Sequence, residues 1–327
     1  MNLLLLGGTG FLGRAIATLA RDRGIDLTCL ARGSALPPDG VPLIRADRDH
    51  QDALEPVADR EWDAVIDLSR QPGQVRRAVR DLTTSHWVFV STANVYARFD
   101  RLEPDEDSEL VEPLEVDEMR GVEDYGPAKV ACENLIRSAP GTSTIVRPGL
   151  IGGPGDVSGR SGYYVWRFAN PTGPDILVPP DLSLPVSLID VDDLASFILT
   201  CAEHRVAATL NTTGPTHTLG EVLEACREVV GDGAPEIRPV PADILEREGV
   251  QQWMGPRSLP LWINDPEWRF FATLDTSRAR SHGLQTRPLV ETMARTLDYE
   301  ENRTEPREAG LTDDEEIALR ETLELEG

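Results

Sequence analysis

A run of four leucines, Leu3–Leu6, breaks into Gly7-Gly8-Thr9-Gly10-Phe11-Leu12-Gly13 and then into apolar residues at helical spacing. Few folds accommodate that order. A short, wholly apolar run reads as a strand buried on both faces, the habit of parallel sheets. Phe11, Leu12, Ala15, Ile16, Leu19 and Ala20 then predict a helix over 10–23. A strand joined to a helix by three glycines spaced by threes predicts a phosphate-binding turn. Gly7 permits the tight bend, Gly10 lets a pyrophosphate approach the backbone, and Gly13 lets the helix pack closely on the sheet. The free N–H groups of the helix start then face the phosphates.

The alternation continues. Strands are expected at 26–31, 41–46, 62–68, 86–91 and 143–147, and helices at 73–82 and from Tyr125 to about Ser138. Pro127 fits only a first helical turn. This rhythm predicts an α/β fold, a Rossmann-type doubly wound parallel sheet with a smaller C-terminal substrate lobe. Residues 1–150 form the expected dinucleotide-binding core, with later contributions from about 186–230. Residues 151–327 are expected to supply mainly the substrate lobe and C-terminal helices. Val186–Ile189 reads as a strand, Asp190–His204 as a helix capped by its aspartates, Leu219–Val230 as another helix, and 310–325 as a charged amphipathic helix. The acidic segment 99–124 is poor in large apolar residues and reads as an exposed loop or flap.

Of 32 basic residues only Lys129 is a lysine. It stands four residues after Tyr125, so on a helix the two side chains share a face. A compact ammonium does work that a planar guanidinium does badly. Free phenols ionise near pH 10, and a neighbouring ammonium favours the phenolate, which equips such a pair for proton transfer. At the end of the second strand, where NAD-binding folds commonly carry an acidic residue, the chain reads Ala31-Arg32-Gly33-Ser34. Arg32 offers a fork of donors to a 2′-phosphate and Ser34 another, which points to NADP over NAD. Asp47, after the third strand, is placed to meet the adenine amino group.

The glycine turn, Ser91-Thr92-Ala93-Asn94-Val95-Tyr96, Tyr125-x-x-x-Lys129 and Arg147-Pro148-Gly149 occur in this order. Together they resemble the extended branch of the short-chain dehydrogenase/reductase superfamily, the NAD-dependent epimerase/dehydratase-like proteins, well over 1–230 and loosely thereafter. The resemblance implies a catalytic set of Thr92, Tyr125 and Lys129, with Lys129 also bonding the nicotinamide ribose. It implies Phe11, Leu12, Leu68, Ser69 and Pro148 along the cofactor, and a homodimer paired through helices that include the Tyr-Lys helix. The expected activity is NADP-dependent hydride transfer between nicotinamide and a carbonyl or alcohol. A nucleotide-sugar epimerase or dehydratase with tightly bound NAD is the second expectation, and a non-catalytic NADP sensor the third.

A net charge of −24 disfavours nucleic acid and anionic membrane as partners, leaving a small-molecule substrate. The N-terminus lacks a basic region and a long apolar run, so the cytoplasm is the expected location. The four cysteines form no CxxC pair and are expected to be buried thiols. His217 and His282 lack metal-ligand spacing, so no metal is expected. The aromatic residues at 253–271 read foremost as core. Arg160, Arg167, Arg257 and Arg269 are candidates for an anionic substrate, with a surface role favoured for each.

Overall fold

The computed structural model describes residues 1–326. Seven parallel strands form the central sheet: β1 (Asn2–Leu6), β2 (Asp26–Ala31), β3 (Leu43–Arg45), β4 (Ala64–Asp67), β5 (His86–Val90), β6 (Thr142–Pro148) and β7 (Ala208–Thr212). Their order across the sheet is β7-β6-β5-β4-β1-β2-β3. The direction of travel reverses between β1 and β4, which opens a crevice beyond their C-terminal ends. Leu4 lies beside Thr28 of β2 and Val65 of β4.

Helices cover both faces. The labelled helices are α1 (Phe11–Asp22), α2 (Pro72–Asp81), α3 (Tyr125–Arg137), α4 (Tyr163–Ala169), α5 (Val191–His204), α6 (Leu219–Val230), α7 (Leu289–Glu301) and α8 (Asp313–Glu326). Strand side chains alternate between faces. Leu3 and Leu5 pack with Ile16 and Ala20 of α1 and Phe197 and Ile198 of α5. Leu4 and Leu6 pack with Val75 of α2 and Cys132 and Ile136 of α3. All four leucines are buried, each contributing about 1.5–3 kcal/mol. A separate core joins α4, α6, α7 and α8 residues, among them Tyr164, Phe168, Leu223, Met293 and Leu319. All four cysteines are buried free thiols. Among the described residues no helix is long and apolar enough to cross a membrane.

Two expectations change. The segment 99–124 is not simply an exposed flap. Phe99 and Pro104 are buried, and the Pro104 carbonyl accepts bonds from Asn211 Nδ2 and the Asp275 amide. Arg147 donates to the Glu106 carbonyl, and the Glu106 carboxylate accepts the Asn211 amide at 2.8 Å. The segment is therefore a strap across the ends of β6 and β7, held by polar groups that composition alone reads as solvated. The second change concerns β7, which the sequence reading passes over. Its residues, Ala-Thr-Leu-Asn-Thr, carry one large apolar side chain because it is an edge strand.

His86 opens β5 with no solvent exposure, its two ring nitrogens 2.8 and 3.0 Å from the hydroxyls of Thr142 and Thr144. Burial, reinforced by the charge of Arg205, pushes its pKa down to about 4. The unfolded histidine takes its proton near pH 6.5 and the folded one only near 4. Stability from this group is thus whole above pH 6.5 and is lost as the pH falls toward 4, by on the order of 3 kcal/mol. Denaturant titrations of wild type and His86→Gln across pH 4–7 check this: the variant should show the flatter dependence, and equal slopes would refute the role.

Candidate active site

A cavity of about 990 Å³ lies at the C-terminal side of the central sheet. Gly7, Gly10, Phe11, Leu12 and Gly13 form one wall, where β1 turns into α1. A side chain at position 13 would put its Cβ 2.2 Å from the Gly7 carbonyl oxygen, so only glycine lets α1 start there. At Gly10 a Cβ would meet nothing within 4 Å. The backbone there faces open space of the kind a pyrophosphate fills. No acidic side chain stands in the first turn of α1, and Gly10 offers no capping side chain, leaving the helix-start N–H groups for an anion. These features fit a dinucleotide.

The next wall is β5 and the turn after it. Thr92 has extended backbone and caps the short 3₁₀ turn Ala93–Val95. Its hydroxyl donates to Asn94 Oδ1 at 3.0 Å and accepts the Asn94 amide. The neighbouring Ser91 is drawn away from this role: its hydroxyl donates to buried Glu133 Oε1 at 2.5 Å. Thr92, Tyr125 and Lys129 all line the cavity. Tyr125 and Lys129 lie four residues apart at the start of α3, with Pro127 in the first turn. Tyr125 is half-buried, and its hydroxyl bonds no protein group among the described residues. Lys129 is buried, and Nζ donates to the carbonyls of Ser69 (2.8 Å) and Val90 (2.6 Å) above the Phe89 ring. Three rotatable donors on a narrow stem fit between two strand ends where a guanidinium would be crowded.

Leu68 and Pro148 also face the cavity. Ser69 does not line it; its hydroxyl donates to Gln74, and its carbonyl holds Lys129. Arg32 and Ser34 are exposed beyond the end of β2, outside the cavity. Asp47 is also outside it and accepts the amide of Asp49 within its own turn. Two further arginines surround the 31–36 loop. The Arg45 side chain lies against Gly33, and Arg14 Nη1 donates to the Leu36 carbonyl. Sequence reasoning missed both, since neither neighbours Arg32 in the chain.

Behind the cavity Arg147, 1% exposed, donates from Nε and Nη2 to both oxygens of Glu133, at 3.0 and 2.7 Å. Arg137 adds a bond to the same carboxylate. Burial alone would push the Glu133 carboxyl up, but the bonds and charge from Arg147, with Ser91 and Arg137, outweigh it and hold it below its ordinary value. Arg147 Nη1 reaches Tyr96 Oη, which donates to Asn211 at 2.5 Å. Thus the strand carrying Pro148, the helix carrying Lys129 and the residue beside Thr92 share one network.

Arg160, Trp253, Met254 and Phe271 also line the cavity. The core expectation for the aromatic group is therefore corrected in part: Trp262 is core, whereas Trp253 and Phe271 face the cavity. Of the four arginines considered for substrate, only Arg160 lines the cavity. Arg167 is buried against Asp313 and Glu316, Arg269 pairs with Asp181, and Arg257 donates to the Glu248 carbonyl. Among the described residues no group of three or more His, Cys, Asp or Glu side chains is arranged to hold a metal.

The sequence profile of the NAD dependent epimerase/dehydratase family matches residues 3–84 and 74–212. No curated protein matches the chain. Among solved structures, a Burkholderia cenocepacia protein provisionally described as an epimerase superposes with a TM-score of 0.70 at 21% identity, over 92% of this chain and 98% of that one. UDP-glucose 4-epimerase from Thermotoga maritima, solved with UDP-glucose, gives 0.66 at 17%, over 93% and 100%. The Thermus thermophilus UDP-glucose 4-epimerase complex with NAD gives 0.62 at 20%, over 91% and 98%. At these identities the likeness is one of fold, and it runs through the C-terminal lobe as well as the sheet. The family profile covers more than half of the sequence and includes the glycine turn, Thr92, Tyr125 and Lys129. The chain belongs to the NAD dependent epimerase/dehydratase family, in the extended branch of the short-chain dehydrogenase/reductases, and is an NAD(P)-dependent enzyme of that class.

Proposed function

We propose that the protein is a cytoplasmic, NADP(H)-dependent oxidoreductase that interconverts a carbonyl compound and its alcohol. The observation that carries this reading is the arginine cluster at the end of β2. Arg32 sits in the loop, with Arg45 against Gly33 and Arg14 against Leu36. None of the three pairs with a carboxylate among the described residues, although the chain has 56 acidic side chains. Unpaired guanidinium forks at the ribose end suit a 2′-phosphate. A coenzyme selected by its 2′-phosphate is one exchanged with a reducing pool, so net redox chemistry follows more naturally than internal recycling.

The bound coenzyme supplies or accepts hydride at its nicotinamide. Tyr125 gives the proton to the carbonyl oxygen, or takes it from the alcohol. Thr92 donates to the same oxygen once substrate displaces its bond to Asn94. Lys129 is fixed by two carbonyls; its third donor would serve the nicotinamide ribose, the role the family resemblance gives it. Gly7, Gly10, Phe11, Leu12, Gly13, Leu68 and Pro148 shape the coenzyme channel. The family resemblance also supports a homodimer paired through helices that include α3.

Arg32→Ala should weaken NADP(H) by about 10–100-fold, the value of charge-assisted hydrogen bonds, and leave NAD(H) within about twofold. Isothermal titration with both coenzymes checks it, and equal losses would remove the 2′-phosphate assignment. A second reading, a nucleotide-sugar epimerase that recycles tightly held NAD, draws on the fold likeness to UDP-glucose 4-epimerases over more than nine-tenths of the chain. Stoichiometric NADPH consumption favours the oxidoreductase. Copurifying NAD(H) with no net consumption favours the epimerase.

A further inference from the structure

In a strongly acidic chain the cavity wall is basic. Its charged lining residues are Arg70, Arg120, Lys129 and Arg160 against Asp156 alone. Asp156 is already committed: its two oxygens accept from the amides and hydroxyls of Ser158 and Ser161. Those bonds fold the 156–161 loop, and among the described residues no carboxylate hydrogen-bonds the Arg160 guanidinium, which Asp156 reaches through charge alone. The guanidinium lies 5.1 Å from the Trp253 ring centroid, its Nη1 touches only Met254 Sδ at 3.8 Å, and its Nε is buried without a partner. A half-buried guanidinium with spare donors suits an oxyanion. Trp253 itself is held at φ 67, a left-handed conformation costing on the order of 1–3 kcal/mol for such a residue. That strain sits at the cavity wall, where it aims the indole under Arg160.

Beside this cation the rim is apolar. Val122, Val157 and Met254 come from three separate segments, line the cavity and are 87%, 61% and 54% exposed. Single exposed apolar residues mean little, but three converging on one opening describe a surface to be covered. We infer that the substrate is amphipathic: an oxyanion held by Arg160, joined to an apolar body that covers Val122, Val157 and Met254 against Trp253 and Phe271. This inference deepens the carbonyl-reductase reading by naming its substrate class. Arg160 fixes the charged end of the molecule and so sets specificity.

The test is a binding measurement on the NADP⁺-saturated protein, independent of turnover. Titrants are 4-phenylbutanoate, its neutral amide, and UDP. Wild type should bind the acid at least about 10-fold more tightly than the amide, the scale of a charge-assisted pair. Arg160→Met, with an unchanged melting temperature, should bind the two within about twofold, and Arg160→Lys should retain part of the preference. An acid preference that survives Arg160→Met overturns the inference, as do equal binding to wild type and binding of UDP alone. Binding as expected without NADPH oxidation of any matching keto acid would sink the redox reading and leave this one standing.

Discussion

Tyr125→Phe is expected to lower kcat by about 10²–10⁴-fold while leaving the NADP(H) dissociation constant within about twofold. The substitution removes one oxygen that bonds no protein group, so the ring and the start of α3 keep their packing. The residues proposed to hold the coenzyme, the glycine turn and Lys129, are untouched. What is lost is the proposed proton donor. Single-turnover hydride transfer, followed by nicotinamide absorbance, should slow in the same proportion as steady-state turnover. An active Tyr125→Phe enzyme would mean that proton transfer runs through another group, and the proposed mechanism would fall.

Glu133→Ala should be the most damaging change away from the cavity. It leaves Arg147, nearly unexposed, without the carboxylate that takes its Nε and Nη2 bonds, and it frees Ser91. Uncompensated burial of such a charge costs about 3–5 kcal/mol. Thermal melting should fall by on the order of 10 °C, given about 2–4 °C per kcal/mol for domains of comparable size. The double change Glu133→Leu/Arg147→Met should recover most of that loss, because an apolar pair of similar volume avoids the desolvation altogether. A double variant no better than the single one would show that the carboxylate's bonds to Ser91 and Arg137 matter more than the pair.

Five strands of the central sheet and the helices that flank them are legible because burial forces largely apolar runs, and because the glycines mark the turn. The half-exposed β3, the edge strand at the other end from β7, is legible only from its short apolar pair Leu43-Ile44. Helix bounds at α1, α2, α3 and α6 fall within a residue or two of the spacing. Lys129 and its neighbour Tyr125 are legible for a different reason, since a single lysine in a chain of arginines stands out without any geometry, whereas Thr92 comes only with the family resemblance. Long-range polar pairing is where the sequence falls silent. Glu133 looks like any helix-surface acid, yet its partner Arg147 is fourteen residues away and enclosed with it. Arg14 and Arg45 reach the loop that carries Arg32, at Leu36 and Gly33, only because α1 and β3 flank β2 in space. The strap at 103–106 reads as solvated since its anchors are backbone carbonyls and one carboxylate, which carry no hydropathy signal.

The ion pairs between α4 and α8 set a schedule for biosynthesis. Arg167 is 1% exposed, and its acceptors, Asp313, Glu316 and the Leu311 carbonyl, lie about 146 positions later in the chain. At ribosomal speeds of about 5–20 residues per second, that guanidinium waits roughly 7–30 s for its partners to be made. All seven strands of the central sheet end by Thr212 and can pair in that interval, with Ala279 and Leu284 completing their core later. The buried guanidinium of α4 meanwhile waits for its carboxylates, so the paired strands of the sheet are in place before α8 docks.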